Sequence, residues 1–297
     1  MTSVTKTKSV GSSGRKNHGE IIWRIFYTVL LGLLAFTMII PFIWMLSASM
    51  KHELDVTKIP IEWIPKYFYP NNYLEVWNIG GNAKVDYHFS LAYFNSLKIA
   101  FFNVIGAVLT SCLAGYAFAK LKFKGRDVVF LLYLSTMMIP SQITIIPKFV
   151  IFDKLGMIGT HATLILPGIF TITGTFLMRQ YFMQIPNELR ESAKIDGASE
   201  FCTWWRIMLP MAKSSMAALA MMVFLWTWNN YLDALVFLPN WRLYTIPLAL
   251  TSFIEESNTQ YGPMMAAAAS ALIPVFIVFV IGQKQFVKGL TAGAVKG

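Results

Sequence analysis

Six long, uninterrupted apolar segments limit this chain to one class of fold. They run over residues 25–46, 99–119, 128–146, 162–178, 216–238 and 264–282. A bilayer core about 30 Å thick is crossed by roughly 20 apolar residues in helix, within a range of about 17–25, and each segment meets that length. No water reaches backbone N–H and C=O groups inside hydrocarbon, so only helices and closed barrels cross it. Barrel strands alternate apolar and polar residues, whereas these runs are continuous. The expectation is therefore an all-α integral membrane protein with six transmembrane helices. It has a polar tail over 1–19, a membrane domain over 20–284 and a second tail over 285–297. Ser47-Ala48-Ser49 resembles a cleavage site, but the apolar core before it is about twice the length of a signal peptide, so the first span is read as uncleaved.

Composition agrees and removes other classes. Of 297 residues, 56% are hydrophobic and 13% charged, against about 25% charged in soluble domains. That excludes a soluble enzyme and a disordered chain. Cys112 and Cys202 are too few and too far apart for a disulfide framework or a zinc site.

The net charge of +10 raises the question of nucleic acid. Lys6, Lys8, Arg15 and Lys16 lie in the first tail, and Lys120, Lys122, Lys124 and Arg126 in the second connection. Arg179, Arg190, Lys194, Arg206 and Lys213 lie in the fourth connection, and Lys284, Lys288 and Lys296 at the end, making sixteen on one side. Lys51, Lys58, Lys66, Lys84, Lys148, Lys154 and Arg242 make seven on the other, with Arg24 and Lys98 at span ends. Cations concentrate on the cytoplasmic side of membrane proteins, so both termini are expected inside. The basic residues are scattered over short loops with no compact patch, so no nucleic-acid partner is expected.

The chain lacks catalytic signatures. It has no G-x-x-x-x-G-K-[ST] loop to cradle phosphates. His18, His52, His88 and His161 are isolated, so no metal is expected. Gly11-Ser12-Ser13-Gly14 lies in a polar tail without the strand-turn-helix context of a nucleophile elbow. Asp233, near Asn229 and Asn230, is the clearest intramembrane charge, and one carboxylate makes no acid–base pair. The energy for any transport is expected to come from another subunit, and no cofactor is expected on this chain.

Residues 179–215 carry the most information. Pro186 and Asn187 start a helix whose positive end suits Glu188 and Glu191, and Leu189, Ala193 and Ile195 form a partial apolar stripe. Gly197 supplies the left-handed residue of a sharp turn. Ser199 can cap a second helix, which Ile207-Met208-Leu209-Pro210 ends before the fifth span. Such a knob can fill a groove on another protein or lie flat on lipid.

The spacing Glu191-Ser192-Ala193, three residues, Gly197, nine residues, Ile207-x-Leu209-Pro210 resembles the E-A-A-x3-G-x9-I-x-L-P loop of permease subunits of ABC importers, with Ser192 in place of the first Ala. The resemblance runs along nearly the whole chain. Gly115-Tyr116-Ala117-Phe118-Ala119 with Phe123-Lys124-Gly125-Arg126, Met137-Met138-Ile139-Pro140, Trp228-Asn229 and Ile246-Pro247-Leu248-Ala249-Leu250 are similar to carbohydrate permeases. The end, Gln285-Phe286-Val287-Lys288-Gly289-Leu290-Thr291-Ala292-Gly293-Ala294-Val295-Lys296-Gly297, resembles the tail of the smaller, maltose-permease-type subunit.

This resemblance implies the type I ABC importer permease fold in a bacterial or archaeal cell (inner) membrane. It implies a second related permease, a dimer of cytoplasmic ATPases holding ATP and Mg, and an extracytoplasmic sugar-binding protein. Glu191, Ser192, Ala193, Asp196, Gly197, Ile207, Leu209 and Pro210 are the ATPase-coupling residues so implied. Trp241, Arg242 and Tyr244, in the connection 240–261 with Glu255 and Glu256, are the implied contacts to the binding protein, although a re-entrant loop fits that segment too. Trp226, Trp228, Asn229, Asn230 and Asp233 in span five are expected along the translocation pathway. On one continuous helix Asn229 and Asp233 share a face, as do Trp226 and Asn230. Bonding to neighbouring helices would explain these polar groups as well. Pro41, Pro140, Pro167 and Pro274 are expected to break helices locally, and Ser111, Gly115 and Ala119, spaced by four, to allow close packing. The solute is expected to be a di- or oligosaccharide, with glycerol phosphate or polyols as the alternative; a stand-alone secondary transporter is the competing class.

Overall fold

The computed structural model describes residues 18–78, 89–254 and 260–294. The cations of the first tail to Lys16, Lys84, His88, Glu255, Glu256 and Lys296 lie outside the described residues, as does the side chain of Lys288. Among the described residues there is helix and connecting loop, with no strand.

In chain order, α1 is His18–Ser49, followed by the short α2 (Glu53–Val56) and α3 (Asn71–Val76). The 32-residue α4 (Phe89–Lys120) is about 48 Å long at 1.5 Å per residue. Then come α5 (Arg126–Ser135), α6 (Ser141–Lys154), α7 (Ala162–Gly168) and α8 (Ile172–Gln184). The α9 helix (Glu188–Ile195) and α10 (Glu200–Thr203) lead through a π-helical turn, Trp204–Met208, into α11 (Leu209–Met211). The α12 helix (Lys213–Trp228), α13 (Leu232–Phe237), α14 (Ile246–Leu250) and the 34-residue α15 (Tyr261–Ala294) complete the chain. Four helices are long and apolar enough to cross a membrane, and six spans result when each of two bent pairs counts as one.

One of these bends and a separate helix break correct two expected spans; the other bend, of 79°, lies between Glu200–Met211 and Lys213–Trp228. The third, 128–146, is broken by 99° between Arg126–Met138 and Ser141–Lys154. A proline disfavours helical backbone in the residue before it, and Ile139, before Pro140, is extended at φ −85, ψ 114. The fifth, 216–238, is not one helix: α12 ends at Trp228 and α13 begins at Leu232. Asparagine side chains offer the backbone partners that compete with helix, and two do so here. Asn229 Nδ2 donates to the Leu225 carbonyl at 2.8 Å, and the Asp233 N–H donates to Asn230 Oδ1 at 3.3 Å. The shared faces expected for Asn229 with Asp233 and Trp226 with Asn230 therefore do not arise from a continuous helix.

Two prolines do not break their helices. Pro41 and Pro274 lie inside α1 and α15. Proline removes a donor and crowds the preceding turn, a cost that neighbouring side chains can relieve within a membrane. Around Pro274, Tyr93 Oη donates to the Ser270 carbonyl at 3.5 Å and Trp228 Nε1 to the Ala271 carbonyl at 3.1 Å.

The central support is α4, packed against α8 and α12, while α1 packs along α15. Ser111 and Gly115 make the approach to α8 close, as their spacing predicts. A Cβ on Gly115 would stand 2.7 Å from Met178 Cβ, and one on Gly174 would stand 2.5 Å from Ser111 Oγ. Side chains of α4 then bond three regions in turn. Near its start Asn95 and Ser96 bond the 242–246 segment, Asn103 bonds α7 and α12, and Tyr116 and Lys120 bond 185–200 near its end. Asn95 and Ser96 are 3% exposed; burial of these polar residues lets α4 begin ten residues before the expected span.

Candidate functional site

Residues 185–212 form a helical knob at one end of the bundle. The turn between α9 and α10 follows from Gly197, whose φ is +82. The Gly197 N–H donates to the Lys194 carbonyl at 3.0 Å and the Ala198 N–H to the Ala193 carbonyl at 2.9 Å, the two bonds of a Schellman closure. Ser199 Oγ then accepts from the Cys202 N–H at 3.2 Å and caps α10, as its position predicts.

Ion pairs hold this turn to the bundle. Glu200 accepts from Arg190 Nε at 3.0 Å, and from Arg190 Nη2, Lys194 Nζ and Tyr116 Oη. The Arg190 guanidinium, with Lys194 and Tyr116, holds the Glu200 carboxyl down at about 2, against the residual cost of burial. Lys120 Nζ donates to the Ile185 carbonyl and to Asn187 Oδ1, and Trp204 Nε1 donates to the Cys112 carbonyl at 3.3 Å. Arg190, Glu200, Tyr116 and Lys120 were not among the sequence-derived site residues. Their only signal was one acid and one base ten residues apart, with α4 partners more than sixty residues away.

The expected coupling residues divide by face. Ala193 and Leu209 are buried against the bundle, and Ile207 is partly buried. Glu191, Ser192, Asp196, Gly197 and Pro210 are exposed. The expected apolar stripe of α9 splits: Ala193 turns inward, while Ile195 is 86% exposed. Phe201 and Trp205 are exposed as well.

A second region is a cavity of about 390 Å³ between α4, α6, α7, α12 and α13. Of the five residues expected along the pathway, Trp226, Asn230 and Asp233 line it, together with Asn103, Lys148, Phe170 and Thr227. Asn230 Nδ2 donates to Asp233 Oδ2 at 2.9 Å. Trp228 and Asn229 are not among the lining residues. Trp228 is 3% exposed, stacked on Phe224 at 5.2 Å and bonded to the Ala271 carbonyl. Lys148 was read as a loop cation because the expected third span stopped at 146; it lies inside α6.

At the end of the bundle away from the knob, Asn95 Nδ2 donates to the carbonyls of Arg242 and Tyr244 at 2.9 and 3.1 Å. His161 Nε2 lies 3.0 Å from the Leu243 carbonyl. The backbone of this segment is thus pinned while the Trp241 and Arg242 side chains are exposed, the guanidinium 5.1 Å over the indole. Tyr244 is partly buried.

A family model described as binding-protein-dependent transport system inner membrane component matches residues 94–292, from α4 into α15. The chain belongs to that family. The arabinooligosaccharides transport system permease protein AraQ of Bacillus subtilis (strain 168) is 31% identical over 278 residues, covering 93% of this chain and 97% of that protein. The sn-glycerol-3-phosphate transport system permease protein UgpE of Yersinia enterocolitica is 33% identical over 269 residues, covering 90% and 95%. A bacterial ABC transporter involved in the import of the acidic polysaccharide alginate contains a chain of the same fold. Its TM-score is 0.80 at 23% identity, over 92% of this chain and 100% of that one.

The protein is therefore a multi-pass permease subunit of a binding-protein-dependent importer, a transport component and not an enzyme. A permease of this kind works with a partner permease, ATPases and a substrate-binding protein. Membership in this family also sets aside the stand-alone secondary transporter. Among the described residues no group of three or more His, Cys, Asp or Glu could hold a metal.

Proposed function

We propose that this permease forms half of the translocation pathway of an ATP-driven importer of di- or oligosaccharides, and that its knob docks on a cytoplasmic ATPase holding ATP and Mg. The knob itself carries the reading. Its motif residues Glu191, Ser192, Asp196 and Gly197 face outward, on a stem rooted in the helix that also borders the cavity. With Lys148 taken out of the loops by its place in α6, the cation bias stands at sixteen to six, and it supports a cytoplasmic position for the knob and both termini. The proposal keeps the division into a tail over 1–19, a membrane domain over 20–284 and a tail over 285–297.

A saccharide is supported by the two arms of the cavity, an aromatic face at Trp226 and amide and carboxylate groups at Asn230 and Asp233, and by the arabinooligosaccharide relative. Glycerol phosphate or a polyol is the second reading, favoured by the sn-glycerol-3-phosphate relative. Uptake and ATP hydrolysis by the reconstituted complex, assayed against both solute classes, decide between them. Hydrolysis that no such solute stimulates would refute both readings.

Gly197 tests the docking role. Asparagine tolerates φ +82 and is expected to retain coupling, whereas Gly197→Pro fixes φ near −65° and deletes the donor to Lys194. The expected result for Gly197→Pro is basal ATP hydrolysis and no uptake, with the spans still inserted. Uptake at the wild-type rate would remove docking from the knob.

We infer that Trp241, Arg242 and Tyr244 belong to the surface that meets the binding protein. Charge at an interface rim governs encounter more than turnover. Arg242→Glu is accordingly expected to raise the binding-protein concentration at half-maximal ATPase activity about fivefold, with the maximal rate kept. An unchanged half-maximal concentration would place the contact elsewhere.

A further inference from the structure

Lys148 is the one basic residue among those lining the cavity. It stands in the middle of α6, within the run Ile145-Ile146-Pro147-Lys148-Phe149-Val150-Ile151. Among the described residues no carboxylate lies within 4 Å of its ammonium. An ionisable residue that lines a cavity between the helices of a membrane protein marks a solute pathway.

The rest of the lining offers acceptors and a flat apolar face. Asp233, the one acid there, is held by Asn230. Asn103 is 3% exposed and spends both amide hydrogens on fixed partners, the Leu164 carbonyl at 3.3 Å and Thr227 Oγ1 at 3.2 Å. The Leu164 carbonyl requires a donor, which fixes which way the amide points. Asn103 Oδ1 is then left buried with no partner, and such an acceptor costs about 1–3 kcal/mol until something donates to it. Hydroxyl groups suit Asp233, and ring C–H groups suit Trp226. A neutral polyhydroxylated solute would leave Lys148 unmatched.

We propose that the imported solute bears an oxyanion, a carboxylate or phosphate ester on a sugar or polyol, and that Lys148 is the residue of this chain that reads it. The inference rests on the cavity being the pathway, as set out under the proposed function, and it narrows the solute class.

The test is ATP-driven uptake by the complete complex in proteoliposomes, with two probe pairs: galacturonate against galactose oligosaccharides, and glycerol 3-phosphate against glycerol. The binding protein's own affinity for each probe is measured alongside, so that its selectivity is separated from that of the membrane subunits. The charged member of one pair is expected to be taken up. Lys148→Gln should raise its KM about tenfold or more, as losing a charge-assisted bond predicts. Lys148→Arg should hold KM within about twofold, and uptake of neutral solutes should not change. Uptake of neutral solutes alone overturns the proposal, as does an equal loss for charged and neutral solutes in Lys148→Gln, which marks a structural role. Trp226→Ala separates the two readings. If it slows uptake while Lys148→Gln leaves selectivity intact, only the oxyanion assignment fails. If both variants transport every solute as the wild type does, the cavity is not the pathway.

Discussion

Glu200→Ala is expected to uncouple the importer, with ATP hydrolysis no longer stimulated by loaded binding protein, while the spans stay folded. One carboxylate accepts hydrogen bonds from Arg190, Lys194 and Tyr116. Removing it leaves a guanidinium whose side chain is 16% exposed and a buried phenol with no acceptor. Charge-assisted bonds of this kind contribute about 1.5–3 kcal/mol each. The Glu200 side chain is 35% exposed, so solvent screening reduces the total, and a local loss of about 2–4 kcal/mol is a fair expectation. An eight-residue helix such as α9 is marginal in isolation, so that loss is enough to free it from α4. Hydrogen exchange should rise across 185–200 and stay unchanged in α12 and α15. Glu200→Gln, which keeps an acceptor for Tyr116 but no charge, should fall between. Wild-type coupling in Glu200→Ala would show that these bonds are dispensable.

The pH dependence has a definite sign. The folded-state pKa of Glu200 is depressed, to about 2 from 4.5. Its contribution is therefore complete above the unfolded value and is lost as pH falls from about 4.5 toward 2. Between pH 6 and 8 Glu200 is expected to give the knob no pH dependence.

The parts of this structure that could be read in advance are those held by neighbours in sequence. The Gly197 turn closes on bonds to Lys194 and Ala193, and the Ser199 cap reaches only to Cys202. The break at Pro140 needs only the residue before it, and the 111-115-119 stripe follows helical spacing alone. What escaped was set by partners far along the chain or by competition between local motifs. Trp228 is buried by a bond to the Ala271 carbonyl forty-three residues later, a placement that no local pattern announces. The fifth span looked continuous in hydropathy, but Asn229 and Asn230 end one helix and start another through side-chain bonds that hydropathy does not weigh. Lys148 escaped because a span boundary drawn two residues short left a cation of α6 among the loop cations. The α4 partners of the knob lie sixty-five or more residues from it, and no local pattern announces them.

Gly115→Ala is expected to cost the permease most of its folded yield, and Gly115→Val nearly all of it. An added Cβ would stand 2.7 Å from Met178 Cβ, 2.8 Å from the Arg179 nitrogen and 3.0 Å from the Met178 carbonyl carbon. Two of those atoms are backbone inside α8, so relief requires α4 and α8 to separate. Overpacking a close interface costs roughly 1–3 kcal/mol, and more where backbone must yield. Tyr116 follows directly and Lys120 five residues later, and both tie the knob to α4, so the displacement is delivered to the knob. Gly282 provides the contrast. The three atoms nearest to a Cβ there all belong to the Met221 side chain, its sulfur and adjoining carbons, and a methionine side chain can rotate away. Gly282→Ala is therefore expected to behave close to wild type in thermal stability and monodisperse yield from detergent. Equal losses for Gly115→Ala and Gly282→Ala would mean that the membrane helices are intolerant of any added volume, and that the α4–α8 approach is not special. A loss confined to Gly115 would identify that approach as the contact on which both the fold and its connection to the knob depend.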